Sequence, residues 1–136
     1  MEVFVSGQIN DLENVCNVQD AFREAGHTIT HDWTHNETGS KILAGREAKF
    51  ANPEEAGIRA VNDMQGVVDS EVYVICTDNE RPGKGMYAEL GGALALNMTT
   101  GSPKIYLLGN KEHATIFYFH PSIILKGSVH EIIEDL

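Results

Sequence analysis

The run Val72-Tyr-Val-Ile-Cys76 carries apolar or aromatic side chains at every position, with no polar alternation. A strand of that kind cannot leave one face in water, so it must be covered on both sides. That is the condition of a central strand in a parallel sheet. Parallel neighbours cannot be joined by hairpins and need crossover connections, usually helices. The flanking sequence supplies them. Val3-Phe-Val5 reads as a strand ending at Ser6-Gly7. Asn10-Asp11 is placed to cap a helix whose apolar positions are Leu12, Val15, Cys16, Ala21 and Phe22. Gly26 closes that helix and His27–Thr30 forms a second strand, which makes a β-α-β unit within about thirty residues.

The alternation continues downstream. Pro53-Glu54-Glu55 is a helix start, with Pro in the first turn and acids at the positive end of the dipole. Its helix carries Ala56, Ile58, Ala60, Val61, Met64, Val67 and Val68. A third helix is expected from Tyr87 to Met98, rich in the small residues Ala88, Gly91, Gly92, Ala93 and Ala95. Lys104–Leu108 is predicted as a fourth strand and Thr115–Phe119 as a fifth, with Ser128 capping a last helix through Ile133. Residues 34–46 are polar and turn-rich and are predicted as an exposed loop. The expectation is one α/β domain over residues 1–136: three layers around a mostly parallel five-stranded sheet of flavodoxin-like or Rossmann-like order. In such folds ligands bind outside the carboxyl ends of the strands.

Composition narrows the partners. A chain of 136 residues buries enough apolar surface to need neither disulfides nor a structural metal. Its net charge is −10, with only ten basic residues and those scattered. Binding to a nucleic-acid polymer rests on clustered Lys and Arg, so it is not expected here. A small anionic ligand remains open, since backbone N–H groups and one or two cations can hold a phosphate. Cys16 and Cys76 lie far apart inside apolar patterns and read as buried reduced thiols. Met1-Glu-Val-Phe-Val5 runs directly into a strand without a basic leader, and no apolar run has membrane-spanning length. A cytoplasmic protein with no membrane contact is expected. His27, His31 and His35 are spaced by four, which aligns side chains only on a helix; this segment reads as strand and loop, so no metal site is assigned. No cofactor is expected either.

Four segments should converge at the carboxyl edge of the sheet: Ser6-Gly7-Gln8, Asp32-Trp33, Thr77-Asp78-Asn79 through Gly85, and Gly109-Asn110. The third opens into Gly83-Lys-Gly-Met-Tyr-Ala-Glu-Leu-Gly91, which has neither the glycine spacing of a dinucleotide fingerprint nor the Lys-Ser/Thr of a Walker loop. Glu89 has two readings, an acid that offsets a helix dipole or a carboxylate that does chemistry. Asp63, on the preceding helix, is equally a surface acid or a site residue. Trp33 either stacks on a base or covers the rim of the core. Lys84 is a phosphate ligand or a solvated loop lysine. Glu71 reads as a structural strand-start acid.

Taken together, Asp63, Glu71 eight residues on at the head of an apolar strand, the glycine loop and Glu89-Leu-Gly-Gly-Ala resemble the nucleoside 2-deoxyribosyltransferase family, which includes related nucleotide N-glycoside hydrolases. Phe4-Val-Ser-Gly7 matches as well, and the resemblance runs in order over residues 2–108. It implies an enzyme that cleaves, or transfers across, the N-glycosidic bond of a nucleoside or nucleotide. Glu89 would be the nucleophile at the anomeric carbon, supported by Asp63. Ser6, Gly7, Gln8, Asp32, Trp33, Asp78, Gly83, Gly85 and Met86 would bind the substrate. The family also implies a homo-oligomer, with Tyr118 and His120 as candidates to reach a neighbouring site. Three positions depart from the pattern. Gly83 stands where the transferases carry an Asp that binds and protonates the base. Phe4 or Val5 stands where a first-strand Tyr is common. Gln8-Ile-Asn-Asp11 replaces a loop bearing Arg in the phosphate-specific hydrolases. A competing expectation is therefore a module that binds or senses a nucleotide without turning it over.

Overall fold

The computed structural model describes residues 1–35, 52–78, 84–111 and 115–136. Its sheet has five strands, β1 (Glu2–Ser6), β2 (Thr28–Ile29), β3 (Val72–Cys76), β4 (Lys104–Leu108) and β5 (Ile123–Lys126). They lie in the order β2-β1-β3-β4-β5, the flavodoxin-like order, and every pairing is parallel. The helices are α1 (Leu12–Glu24), α2 (Pro53–Val68), α3 (Lys84–Thr100) and α4 (Val129–Asp135). The apolar run that demanded two covered faces is central and buried at every position.

Strand parity sorts the core into two layers. Val3, Val5, Val72, Val74, Cys76, Tyr106 and Leu108 face α1 and α4, where they meet Val15, Val18, Phe22 and Ile132. Phe4, Tyr73, Ile75, Ile105 and Leu107 face the other way, against Val67 of α2 and Met86, Leu90, Ala93 and Leu94 of α3. Ser6 shares the parity of Phe4, so its side chain belongs to the α2–α3 layer.

Local signals act much as the sequence suggests. Gly26 takes φ +90° after α1, and Asn52 and Ser128 accept the backbone N–H groups of Glu55 and Glu131 as helix caps. Gly66 lets α2 lie directly on β1: a Cβ there would sit 2.7 Å from His31 Cβ and 2.8 Å from Phe4 Cδ2. Glu71 is structural, accepting the Glu2 backbone N–H at 3.0 Å at the amino end of the sheet.

Three expectations are corrected. Thr115–Phe119 is not the fifth strand; Ile116–Phe119 is a 3-10 turn and the strand follows at Ile123–Lys126. The apolar residues of the turn do not line a sheet face, since Ile116, Phe117 and Phe119 are exposed and Tyr118 alone is buried. The third helix begins at Lys84, three residues before Tyr87. Within the segment expected to be an exposed loop, Thr34 is fully buried, because its hydroxyl is enclosed by Asp32, His35 and Gln19. The rest of that loop, from residue 36, lies outside the described residues. No helix among the described residues is long and apolar enough to cross a membrane.

Candidate active site

Helix α3 turns the stripe Met86, Leu90, Ala93 and Leu94 onto the sheet. Glu89 lies three residues after Met86 and four before Ala93, which places a carboxylate on the core-facing side of the helix. It is partly buried, and its Oε1 accepts a hydrogen bond of 2.7 Å from the Ser6 hydroxyl, 83 residues away in sequence. Burial pushes the Glu89 carboxyl up to about 7; the Ser6 hydrogen bond opposes that and the charge of Asp63 adds to it. The dipole of α3 does not set the charge of Glu89. The helix starts at Lys84 and its first turn holds no acid, and the dipole fades within one turn. Desolvation decides instead.

Asp63 reaches this site from α2, one turn before Gly66, where the helix is closest to β1. It pairs with His31, whose Nε2 lies 3.1 Å from Asp63 Oδ1. His31 follows β2, so β1, β2, α2 and α3 all contribute to one cluster: Ser6, His31, Asp63 and Glu89. Sequence reasoning set His31 aside along with a metal site. Only the close approach of α2, carried by a glycine, makes it the partner of Asp63.

Tyr73 was also missed. It is buried completely, beneath α3, with its ring stacked on Phe4 at 6.0 Å and 8°. Among the described residues its hydroxyl is buried without a well-formed hydrogen bond, beside the Ser6 hydroxyl. Burial, then the charge of Glu89, push its phenol well above its ordinary range. In an all-apolar strand a Tyr passes for one more core aromatic, and only the side chain that faces it from α3 shows otherwise.

The remaining candidates divide. Gly7 packs against α1, its missing Cβ 2.6 Å from Val15 Cγ2, so the chain can leave β1 beside Ser6. Gln8 precedes the 3-10 turn Ile9–Asp11. Asp32 is held by Arg23 at 2.7 Å, by the Thr34 N–H at 3.0 Å, by the Thr34 hydroxyl, and by His35 at 3.2 Å. Burial pushes its carboxyl up, but those bonds outweigh burial and hold it at about 2. The Trp33 indole donates to the Val5 carbonyl at 2.8 Å and packs on both core layers. Asp78 is bridged to the end of β4, where Asn110 donates to its carbonyl and carboxylate at 3.4 Å. Gly109 takes φ +126° there, and a Cβ on it would strike the Asp78 backbone N at 2.7 Å. Met86 is buried in the core and Gly85 is exposed in the first turn of α3. Asn79 and Gly83 lie outside the described residues. Cys16 and Cys76 are free and buried, and burial pushes the Cys76 thiol up. Tyr118 packs edge-on against Tyr87 at 6.4 Å, and His120 Nδ1 accepts the Ser122 N–H at 3.1 Å.

What this arrangement offers is a carboxylate poised near neutrality, one hydroxyl on it, and a second acid nearby that is oriented by a histidine. That is equipment for nucleophilic or proton-transfer chemistry on a small molecule. No protein-family model matches the chain, and no curated protein does. Among solved structures it is similar to the CMP N-glycosidase BcmB of Clostridium botulinum, with a TM-score of 0.54 and 14% identity over 99% of this chain and 97% of that one. The two share a fold from end to end.

Proposed function

We propose that this protein cleaves, or transfers across, the N-glycosidic bond of a nucleoside or nucleotide, with Glu89 as nucleophile. The observation that carries this reading is a carboxylate on the core-facing side of α3, held by one hydroxyl and pushed to about 7 by burial. A carboxylate that basic is a better nucleophile than a solvated one, and once ionised it suits an oxocarbenium-like centre. The fold-level likeness to an N-glycosidase and the order of Asp63, the glycine loop and Glu89 point the same way.

In the proposed reaction a Glu89 oxygen attacks the anomeric carbon. The glycosidic C–N bond breaks, its electron pair leaves with the base, and the base takes up a proton. The glycosyl ester is then released to water in hydrolysis, or to a second base in transfer. Asp63, held by His31, keeps a negative field beside Glu89 that favours the developing positive charge of the sugar. Ser6, Gly7 and Gln8 would meet the sugar or a 5′-phosphate. Gly83, where the resembled transferases carry an acid, favours a second reading: a nucleotide sensor on the same fold.

One experiment separates the two. Wild type and Glu89→Ala are incubated with a panel of nucleosides and nucleotides, and free base is measured. Release by wild type that disappears in the variant is the expected result. Ligand-induced thermal stabilisation without free base supports the sensor, and unchanged release by the variant removes Glu89 as nucleophile. The profile of kcat/KM should rise with pH across about 7, because attack needs the ionised form. The reading also carries a homo-oligomer, tested by solution mass measurement.

A further inference from the structure

The Tyr73 hydroxyl has no use in the scheme above and no hydrogen-bond partner among the described residues. Its ring alone would explain its place, since Phe4 sits opposite it in register and fills the same layer with no hydroxyl. Burying an unpaired hydroxyl is unfavourable relative to an apolar isostere, and such groups usually find a partner in some state of the protein. Two polar groups lie beside it. The Ser6 hydroxyl donates its proton to Glu89 while its oxygen can still accept from the phenol, and the other neighbour is the Glu89 carboxylate itself.

We infer that Tyr73 is a positioning residue for Glu89: its phenol is the second hydrogen-bond donor to the carboxylate, engaged when that group is ionised, and it fixes the oxygen that attacks. Among the described residues Ser6 is the donor to Glu89, and it holds Oε1. The other oxygen is the natural acceptor for the phenol. The ring is clamped between the sheet and α3 by its stack on Phe4, so the donor stays fixed while Glu89 swings on its own torsions to meet it. The phenol remains protonated throughout, because burial and the nearby carboxylate push it far up. A donor of this kind also releases Ser6, whose hydroxyl is then free to turn toward a ligand. The other titratable groups facing this layer are Asp63 on α2 with His31 beyond it, Tyr87 on α3, and Tyr118 on the 3-10 turn.

The catalytic part of this inference rests on the proposed reaction, but the hydrogen bond does not, so the test begins without substrate. The Glu89 carboxyl is titrated by carbon NMR in glutamate-labelled protein, with Glu89→Gln assigning the signal. A neutral donor to the ionised form lowers the midpoint, so Tyr73→Phe should raise it by about one unit. Thermal stability well below pH 7, where Glu89 is protonated, should stay equal or increase, since an orphan hydroxyl is removed and the ring is kept. Replacing Tyr73 by a ring-fluorinated tyrosine, a stronger donor of similar shape, should move the midpoint down and covers the case in which the Phe variant folds poorly. If cleavage is found, the acid limb of kcat should shift upward with the midpoint in Tyr73→Phe. Its kcat should fall about tenfold with KM nearly unchanged. An unmoved Glu89 midpoint in either folded variant overturns the inference. Absence of cleavage with a shifted midpoint overturns the proposed reaction alone.

Discussion

Asp32 and Glu89 are both acids beside the carboxyl edge of one sheet, both partly buried, and their proton affinities differ by orders of magnitude. Asp32 accepts from a guanidinium, a backbone N–H, a hydroxyl and an imidazole, and is held at about 2. Among the described residues Glu89 accepts from one hydroxyl, faces a second acid, and is pushed to about 7. Burial acts in the same direction on both. The number of donors decides the outcome. One site stabilises a loop after β2 and the other stores a proton that chemistry can use.

The largest test of that contrast is Glu89→Gln, which keeps the shape and removes the charge. Base release should fall roughly a thousandfold or more, as measured by chromatography of free base. The same variant should gain stability, and the sign follows from linkage. The folded value of about 7 lies above the ordinary 4.5, so Glu89 favours folding below the ordinary value. That contribution is lost as pH rises to about 7. Relative to wild type, Glu89→Gln should therefore gain up to about 3 kcal/mol near pH 8. The gain should vanish near pH 4.5 when urea unfolding is repeated there.

Asp32→Asn is the opposing test. Its folded value of about 2 lies below the ordinary 3.8, so its contribution is present above the ordinary value and lost as pH falls toward 2. The substitution should cost about 1–3 kcal/mol at neutral pH, and should flatten the acid end of the stability profile in chemical unfolding across that range. Ser6→Ala has the smallest expected effect. It removes the hydroxyl that holds Glu89 Oε1, so the pH at half-maximal kcat/KM should move up by no more than about one unit.

The same contrast explains what was legible in the sequence. The parallel sheet and the covered faces of β3 follow from local composition, as do Gly26 after α1, Pro53 opening α2 and the Ser128 cap, while the choice between two strand orders comes from the structure. The position of β5 did not. Thr115–Phe119 has the β-branched and aromatic content of a strand, yet Ile116, Phe117 and Phe119 point outward, while Ile123–Lys126 forms a short edge strand. Glu89 was legible as a candidate, and a helical count from Met86 would have shown it facing the core. Its proton affinity was not legible, because Ser6 lies 83 residues away and Asp63 reaches it only through a helix-on-strand contact. Asp32 drew attention as a binding residue from its place at a strand end; Arg23 and Thr34, which occupy it, carry no such signal in sequence.

That helix-on-strand contact has a mechanical side. At Gly66 helix α2 touches β1 with hydrogen against ring and side chain, and on its other flank Met64 Sδ would stand 2.8 Å from any Cβ on Gly92 of α3. The helix that bears Asp63 thus meets β1 through its own bare backbone, and meets α3 through Met64 seated on the bare backbone of Gly92. The approach of α2 to both neighbours is therefore set by two glycines. Core substitutions that loosen the protein should alter how long it survives well before they alter the spacing at which Asp63 and Glu89 face one another.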